Sequence, residues 1–193
     1  MQPIRGATRR PSSICRTCSR ASGTVRSPAG APTYTYGYEV GEYVTVMHYD
    51  FQTGGNDWTV TGSASDGHWD VGVPVNCDRG DPPSDYDGSG QCYLTDNSAA
   101  DGCNSDVDGG YTWLNSPTID LSAGDAEISY ALWYTNNYGA DPNNDYFVVW
   151  VSNNNGGNWT QVEEFGPGSS SGWHVQSFRV GDYVTPTAQV KVR

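Results

Sequence analysis

The sequence predicts an all-β, antiparallel fold, and three observations carry that expectation. No window sustains a 3.6-residue apolar period, so helix signals are almost absent. Short runs of β-branched and aromatic residues alternate with clusters of Gly, Asn, Asp and Pro, the pattern of a sandwich or barrel. Glycine is frequent, at 24 residues, which favours turns over helices.

Strands are expected at 42–51, 57–62, 91–95, 111–115, 126–135, 145–152, 158–165, 173–179 and 187–193. In 126–135, Ile128, Tyr130, Leu132 and Tyr134 share one face while Ala131 and Trp133 take the other, which predicts cover on both sides. Phe147, Val149 and Val151 oppose Tyr146, Val148 and Trp150 in the same manner. Between these strands, S-N-N-N-G-G-N-W from Ser152 reads as a hairpin turn with residues at positive φ. In the last strand Val190 and Val192 point one way and Gln189, Lys191 and Arg193 the other. That strand runs to the final residue, which predicts a domain cut short at its C-terminal strand, with both valines partly uncovered along an open edge. Trp58, Trp133 and Trp159 fall in strand-like segments and are assigned to the core. Trp69 and Trp173 fall near loops and are the aromatic candidates for ligand contact, although packing is favoured for them too.

Charge divides the chain. Residues 1–33 hold six arginines and no acid; the remainder holds four bases and 22 acids, for a net −12. The first segment lacks the apolar run of a secretory signal and any periodicity, so it is read as a disordered basic tail or a misassigned start. Residues 34–49 form a linker or leading strand, and 50–193 the folded domain. So acidic a body excludes nucleic-acid binding by phosphate neutralisation. A single lysine excludes a polybasic membrane patch, and no apolar stretch is long enough to insert in a membrane.

Eight aspartates crowd residues 78–108 against one base, Arg79. Read as a calcium loop, the run beginning at Asp85 places Asp85, Asp87 and Ser89 at alternate ligand positions, Gly90 at the turn, the Gln91 carbonyl next and Asp96 last. A second ligand set is Asp96 with Asn104, Asp106 and Asp108. Both sets offer hard oxygen and no nitrogen or sulfur, which suits calcium over zinc. The competing reading is a solvated turn region, since Asp and Gly favour turns without any metal. Cys77, Cys92 and Cys103 flank this run; one disulfide with one cysteine left over is expected, and the pairing stays open. Cys15 and Cys18 form a lone C-x-x-C without the context of a zinc or redox site.

Nothing assembles a catalytic centre. His48, His68 and His174 are far apart in sequence, and no G-x-S-x-G elbow, G-x-G-x-x-G or P-loop is present. Enzymatic activity of this chain is not expected. Asn158-Trp-Thr160 is a glycosylation acceptor motif.

From residue 50 onward the segments D-F-Q-T-G-G-N-D-W-T-V (50–60), L-N-S-P-T-I-D-L-S (114–122), I-S-Y-A-L-W-Y (128–134), D-Y-F-V-V-W-V-S-N-N-N-G-G-N-W (145–159) and the terminal T-A-Q-V-K-V-R together resemble the MAM-like modules, including the bacterial choice-of-anchor J and cleaved-adhesin types. The resemblance implies a jelly-roll β-sandwich, often with a structural calcium and not itself catalytic. Gln52 departs from it, standing where the family often has glutamate, as do Asn154 and Asn155, where it often has Asp-Gly. The function implied is a calcium-stabilised accessory domain of a secreted or surface multidomain protein, serving attachment or substrate targeting. Alternatives are a fragment of a secreted zinc carboxypeptidase or other peptidase whose catalytic domain lies elsewhere, and a carbohydrate-binding module. The partners implied are other domains of the parent protein and a glycan or surface protein.

Overall fold

The computed structural model describes the backbone of residues 2–9, 19–24 and 35–40, and the backbone and side chains of 44–52, 57–75, 79–97 and 106–193. Among these, the regular structure is β-strand, with one 3-10 turn at Val180–Asp182. Every strand pair is antiparallel.

The strands are β1 (Gln2–Arg9), β2 (Ser19–Thr24), β3 (Thr35–Val40), β4 (Val44–Thr45), β5 (Thr59–Gly62), β6 (Trp69–Gly72), β7 (Cys92–Thr95), β8 (Thr112–Asn115), β9 (Ala126–Tyr134), β10 (Phe147–Ser152), β11 (Thr160–Phe165), β12 (Ser170–Arg179) and β13 (Lys191–Val192). They form a four-stranded sheet in the order β12-β9-β1-β4, a three-stranded sheet β11-β10-β13, and three two-stranded ribbons, β2-β3, β5-β8 and β6-β7. β1 and β2 lie inside the segment that the sequence assigns to a tail.

The two larger sheets share one core. β9 contributes Ile128, Tyr130 and Leu132, β12 contributes Phe178, and β10 and β13 contribute Val149, Val151 and Val192. Each follows the two-residue period of a strand with one face turned inward. Ala131 is buried too, at 4% exposure, so β9 is covered on both faces as its composition requires. Tyr130 reaches across to donate its phenol to a Glu163 carboxylate oxygen on β11, joining the two sheets by a polar bond inside the apolar layer. Burial and that carboxylate together push the phenol pKa well up.

The hairpin between β10 and β11 forms as its residues dictate. Asn155 and Gly156 take φ of 57° and 87°. The Ser152 hydroxyl accepts from the Gly156 amide at 2.9 Å and donates to Asn154 Oδ1 at 2.9 Å. These side-chain bonds hold the reversal without a longer loop.

The last strand departs from expectation. Val190 and Val192 are 0% and 2% exposed, not partly uncovered. β13 pairs with β10 on one side through Val151 and Val192. On its other side Val190 bridges Ile119, and Ser116 exchanges bonds with Val192 at 2.9 and 3.0 Å. Both flanks of the strand are therefore occupied.

Two further differences concern strand assignment. Among the described residues of the expected strand 42–51, only Val44–Thr45 joins a ladder. Beyond it the chain turns at Phe51, which adopts φ of 60° and packs its ring against Trp58 and Tyr93 at 5.8 and 5.0 Å between centroids. Trp69–Gly72, not anticipated, pairs with β7.

Candidate functional site

A cleft of about 680 Å³ opens beside the shared core. Its floor is apolar and includes Ile128, Tyr130, Val149 and Phe178. Its mouth is formed by the loop after β9, carrying Tyr138, Asp141, Asp145 and Tyr146, and by the segment leading into β8, carrying Asp106, Asp108 and Tyr111. Tyr111, Tyr138 and Tyr146 are 52%, 46% and 52% exposed, so their rings meet solvent at the rim.

The loop after β9 is held from below. Tyr134 donates its hydroxyl to the Asp145 carbonyl at 2.7 Å, and the Asn136 amide reaches the Asp145 and Pro167 carbonyls at 2.9 and 3.0 Å. Burial, with the Asp145 charge adding, pushes the Tyr134 phenol up to about 12. Anchoring the loop base leaves its crest to present side chains over the cleft. On the facing segment, Asp106 packs its carboxylate so closely against Gly139 that a Cβ there would lie 2.8 Å from Oδ2. Arg79 stands 4.0 Å from the same carboxylate. Burial raises the Asp145 carboxyl pKa, and the charges of Asp141, Asp108 and Asp106 raise it further. Carboxylates from two separate loops thus line one opening, and the charges of the other three act on Asp145.

The Arg193 guanidinium lies 4.2 Å from the Trp113 ring centroid and 4.4 Å from that of Trp159, with Trp150 at 5.6 Å. The arginine is sandwiched between two indoles, an arrangement worth more when partly desolvated. Trp159 is therefore a half-buried ring on the outside of β10 and β11 and not a core residue. Trp58 is the core tryptophan, at 7% exposure.

The two aromatic candidates both pack. Trp69 donates Nε1 to the Thr112 carbonyl at 3.3 Å and meets Phe147 edge-on at 6.2 Å, contributing to the wall of the cleft. Trp173 donates Nε1 to the Ser84 carbonyl at 3.1 Å and packs against Trp133 and Tyr86. Trp133 in turn donates to the Gly80 carbonyl at 2.7 Å. Together these two indoles pin residues 79–86 onto the outer face of β9 and β12.

The first calcium set lies in one turn. Asp85, 3% exposed, accepts from Ser89 Oγ at 2.9 Å and the Gly90 amide at 2.8 Å through one carboxylate oxygen. Asp87 accepts from the Ser89 amide at 2.9 Å. The Gln91 carbonyl accepts from Gln52 Nε2 at 2.6 Å, and the Gln91 amide donates to Gln52 Oε1 at 2.8 Å. Asp96 directly follows β7, where it adopts φ of 46°. The hard oxygen donors of Asp85, Asp87 and Ser89 are of the type calcium takes.

Of the second set, Asn104 lies outside the described residues. The structure gathers the other three around the turn at residues 65–68. The Asp96 amide donates to the His68 carbonyl at 2.9 Å, Asp108 bridges Asp66, and the Asp106 carbonyl abuts Gly67. Among the described residues no group of three or more His, Cys, Asp or Glu side chains is clustered closely enough to hold a metal ion.

Cys92 is a free thiol, fully buried, and burial raises its pKa, with Asp85 adding to the effect. The sequence offers Cys77 and Cys103 as its disulfide candidates. Those two cysteines lie outside the described residues, as do Cys15 and Cys18.

Sequence reasoning singles out Asp106 and Asp108 but misses Asp141, Asp145 and the three rim tyrosines. D-P-N-N-D reads locally as a turn, and only the folded loop shows what it faces. No protein-family model, curated protein or solved structure matches this chain.

Proposed function

We propose that this chain is a non-catalytic accessory module of a secreted or surface protein, with the strand arrangement of a jelly-roll β-sandwich, and that its cleft attaches the parent protein to a glycan. The observation that carries the reading is the rim, where Tyr111, Tyr138 and Tyr146 expose their rings beside oxygen-bearing side chains above an apolar floor. Tyrosine offers a flat apolar face together with a hydroxyl. Carboxylates and amides hydrogen-bond sugar hydroxyls. A concave apolar site with a few placed polar groups is the usual form of a ligand pocket. The resemblance of residues 50–193 to MAM-like modules supports the accessory role.

The test is a glycan array probed with the wild-type chain and with Tyr138→Ala. Binding that the substitution abolishes, with the thermal melt unchanged, supports the reading. An array with no bound glycan removes it. Calcium stabilisation belongs to the same proposal, with Asp85, Asp87 and Ser89 as the protein ligands.

A further inference from the structure

Resting on the glycan reading, we propose that the sugar this cleft selects carries protonated amines, as a deacetylated aminosugar chain does. The mouth brings aromatic rings and carboxylates to one place. Tyr111, Tyr138 and Tyr146 supply the rings, while Asp106, Asp108, Asp141 and Asp145 supply negative charge from two loops. Arg79 lies 4.0 Å from the Asp106 carboxylate. A neutral sugar would use these carboxylates only as hydrogen-bond acceptors and leave their mutual repulsion in place. An ammonium group relieves that repulsion, and in a cleft with low-dielectric walls the field of the acids is focused on the ligand.

One fixed cation of the chain, Arg193, also lines the cleft, with its guanidinium 4.2 Å from the Trp113 indole, so the rings left for a ligand are the rim tyrosines. Ring faces attract ammonium and guanidinium groups. Calcium, by contrast, needs six to eight oxygens and gains nothing from tyrosine faces. The mixture of ring and carboxylate therefore suits an amine borne on an apolar-faced sugar better than a bare metal ion.

Titration calorimetry in chelator at about pH 6, where carboxylates and amines are both charged, tests the proposal. The probes are hexamers of glucosamine, of N-acetylglucosamine and of β-1,4-glucose, with a lysine hexapeptide as a fourth. The glucosamine hexamer should bind at least about tenfold more tightly than the other three and weaken as salt rises. Asp141→Asn and Asp145→Asn should each reduce that preference. Asp145→Asn also removes the partly buried charge and the repulsion that together raise its carboxyl pKa, so this variant should fold at least as stably as wild type while binding less. Equal binding of the three hexasaccharides would overturn the amine selectivity and leave the glycan reading standing. No binding of any saccharide would overturn both, as would binding of the lysine peptide alone.

Discussion

Replacing Gln52 by glutamate changes one atom group and reverses the chemistry of a clamp. The Gln52 amide bridges residues 39 positions apart. Its Nε2 donates to the Gln91 and Asp50 carbonyls, both at 2.6 Å, and its Oε1 accepts from the Gln91 amide at 2.8 Å. The two Nε2 bonds are worth about 1 kcal/mol each, and a half-buried carbonyl left facing an anionic oxygen adds a further cost of about 1–2 kcal/mol. Gln52→Glu should therefore destabilise the fold by about 3–4 kcal/mol at neutral pH. Gln52→Ala, which removes all three bonds without adding charge, should cost about 3 kcal/mol, and equally at both ends of the pH range. The pH dependence has a definite sign. Facing two carbonyls, the carboxyl introduced at position 52 would ionise less readily in the folded chain than at its ordinary value of about 4.3, so its folded pKa is raised. The deficit is then smallest below that ordinary value and grows as pH rises through the folded one, because a protonated carboxyl can donate and a carboxylate cannot. Urea unfolding of the three proteins at about pH 4 and pH 7 reads these differences directly. A glutamate variant as stable as wild type at neutral pH, or one whose deficit does not grow between about pH 4 and pH 7, would refute the clamp.

Arg193→Met should lose about 1–2 kcal/mol by removing the cation between Trp113 and Trp159; Arg193→Lys should lose part of that because its ammonium does not stack flat, and unchanged denaturation midpoints for both would dismiss the interaction. Calcium at about a hundred times its dissociation constant should stabilise the chain by about 2.7 kcal/mol, with Asp87→Asn losing the shift and Asp108→Asn keeping it. Melts that coincide in calcium, magnesium and chelator would leave the aspartates as a solvated turn. Val190→Ala should cost about 2 kcal/mol, the worth of a fully buried valine, and a loss below about 0.5 kcal/mol would contradict the double cover of β13. Trypsin should cut at Arg5 and Arg9, within the paired strand β1, more slowly than in a free peptide of the same sequence; equal rates would return that segment to an unpaired tail.

Where a segment's partners lie within its own period or its own turn, the sequence is a good guide. β9 and β10 can be read because their apolar residues alternate over six or more positions, and the hairpin between β10 and β11 because Asn and Gly tolerate positive φ. β6 escapes notice because W-D-V-G is short, only half covered and flanked by turn residues. Phe51 looks like the end of a strand, yet its positive φ breaks the ladder to deliver a ring to Trp58 and Tyr93. The site is the least legible part. Gln52 finds Gln91, Arg193 finds Trp113 and Trp159, and Asp145 faces Asp106 and Asp108, all across long stretches of chain. Such encounters leave no local pattern, since each residue would look equally at home on a solvated turn.

The placement of β13 has a kinetic consequence. Val190 must meet Ile119 and Val192 must meet Val151 before the apolar layer is closed on that side. Ser116 cannot satisfy its backbone until residue 192 is in place. Closing so long a loop is entropically uphill before any contact rewards it, which places this chain among slow folders. During synthesis the strands around residues 112–152 would wait, incompletely covered, for residues 190–192 to emerge. A chaperone that shields apolar surface should therefore matter most to this protein while it is being made, and least once β13 has docked.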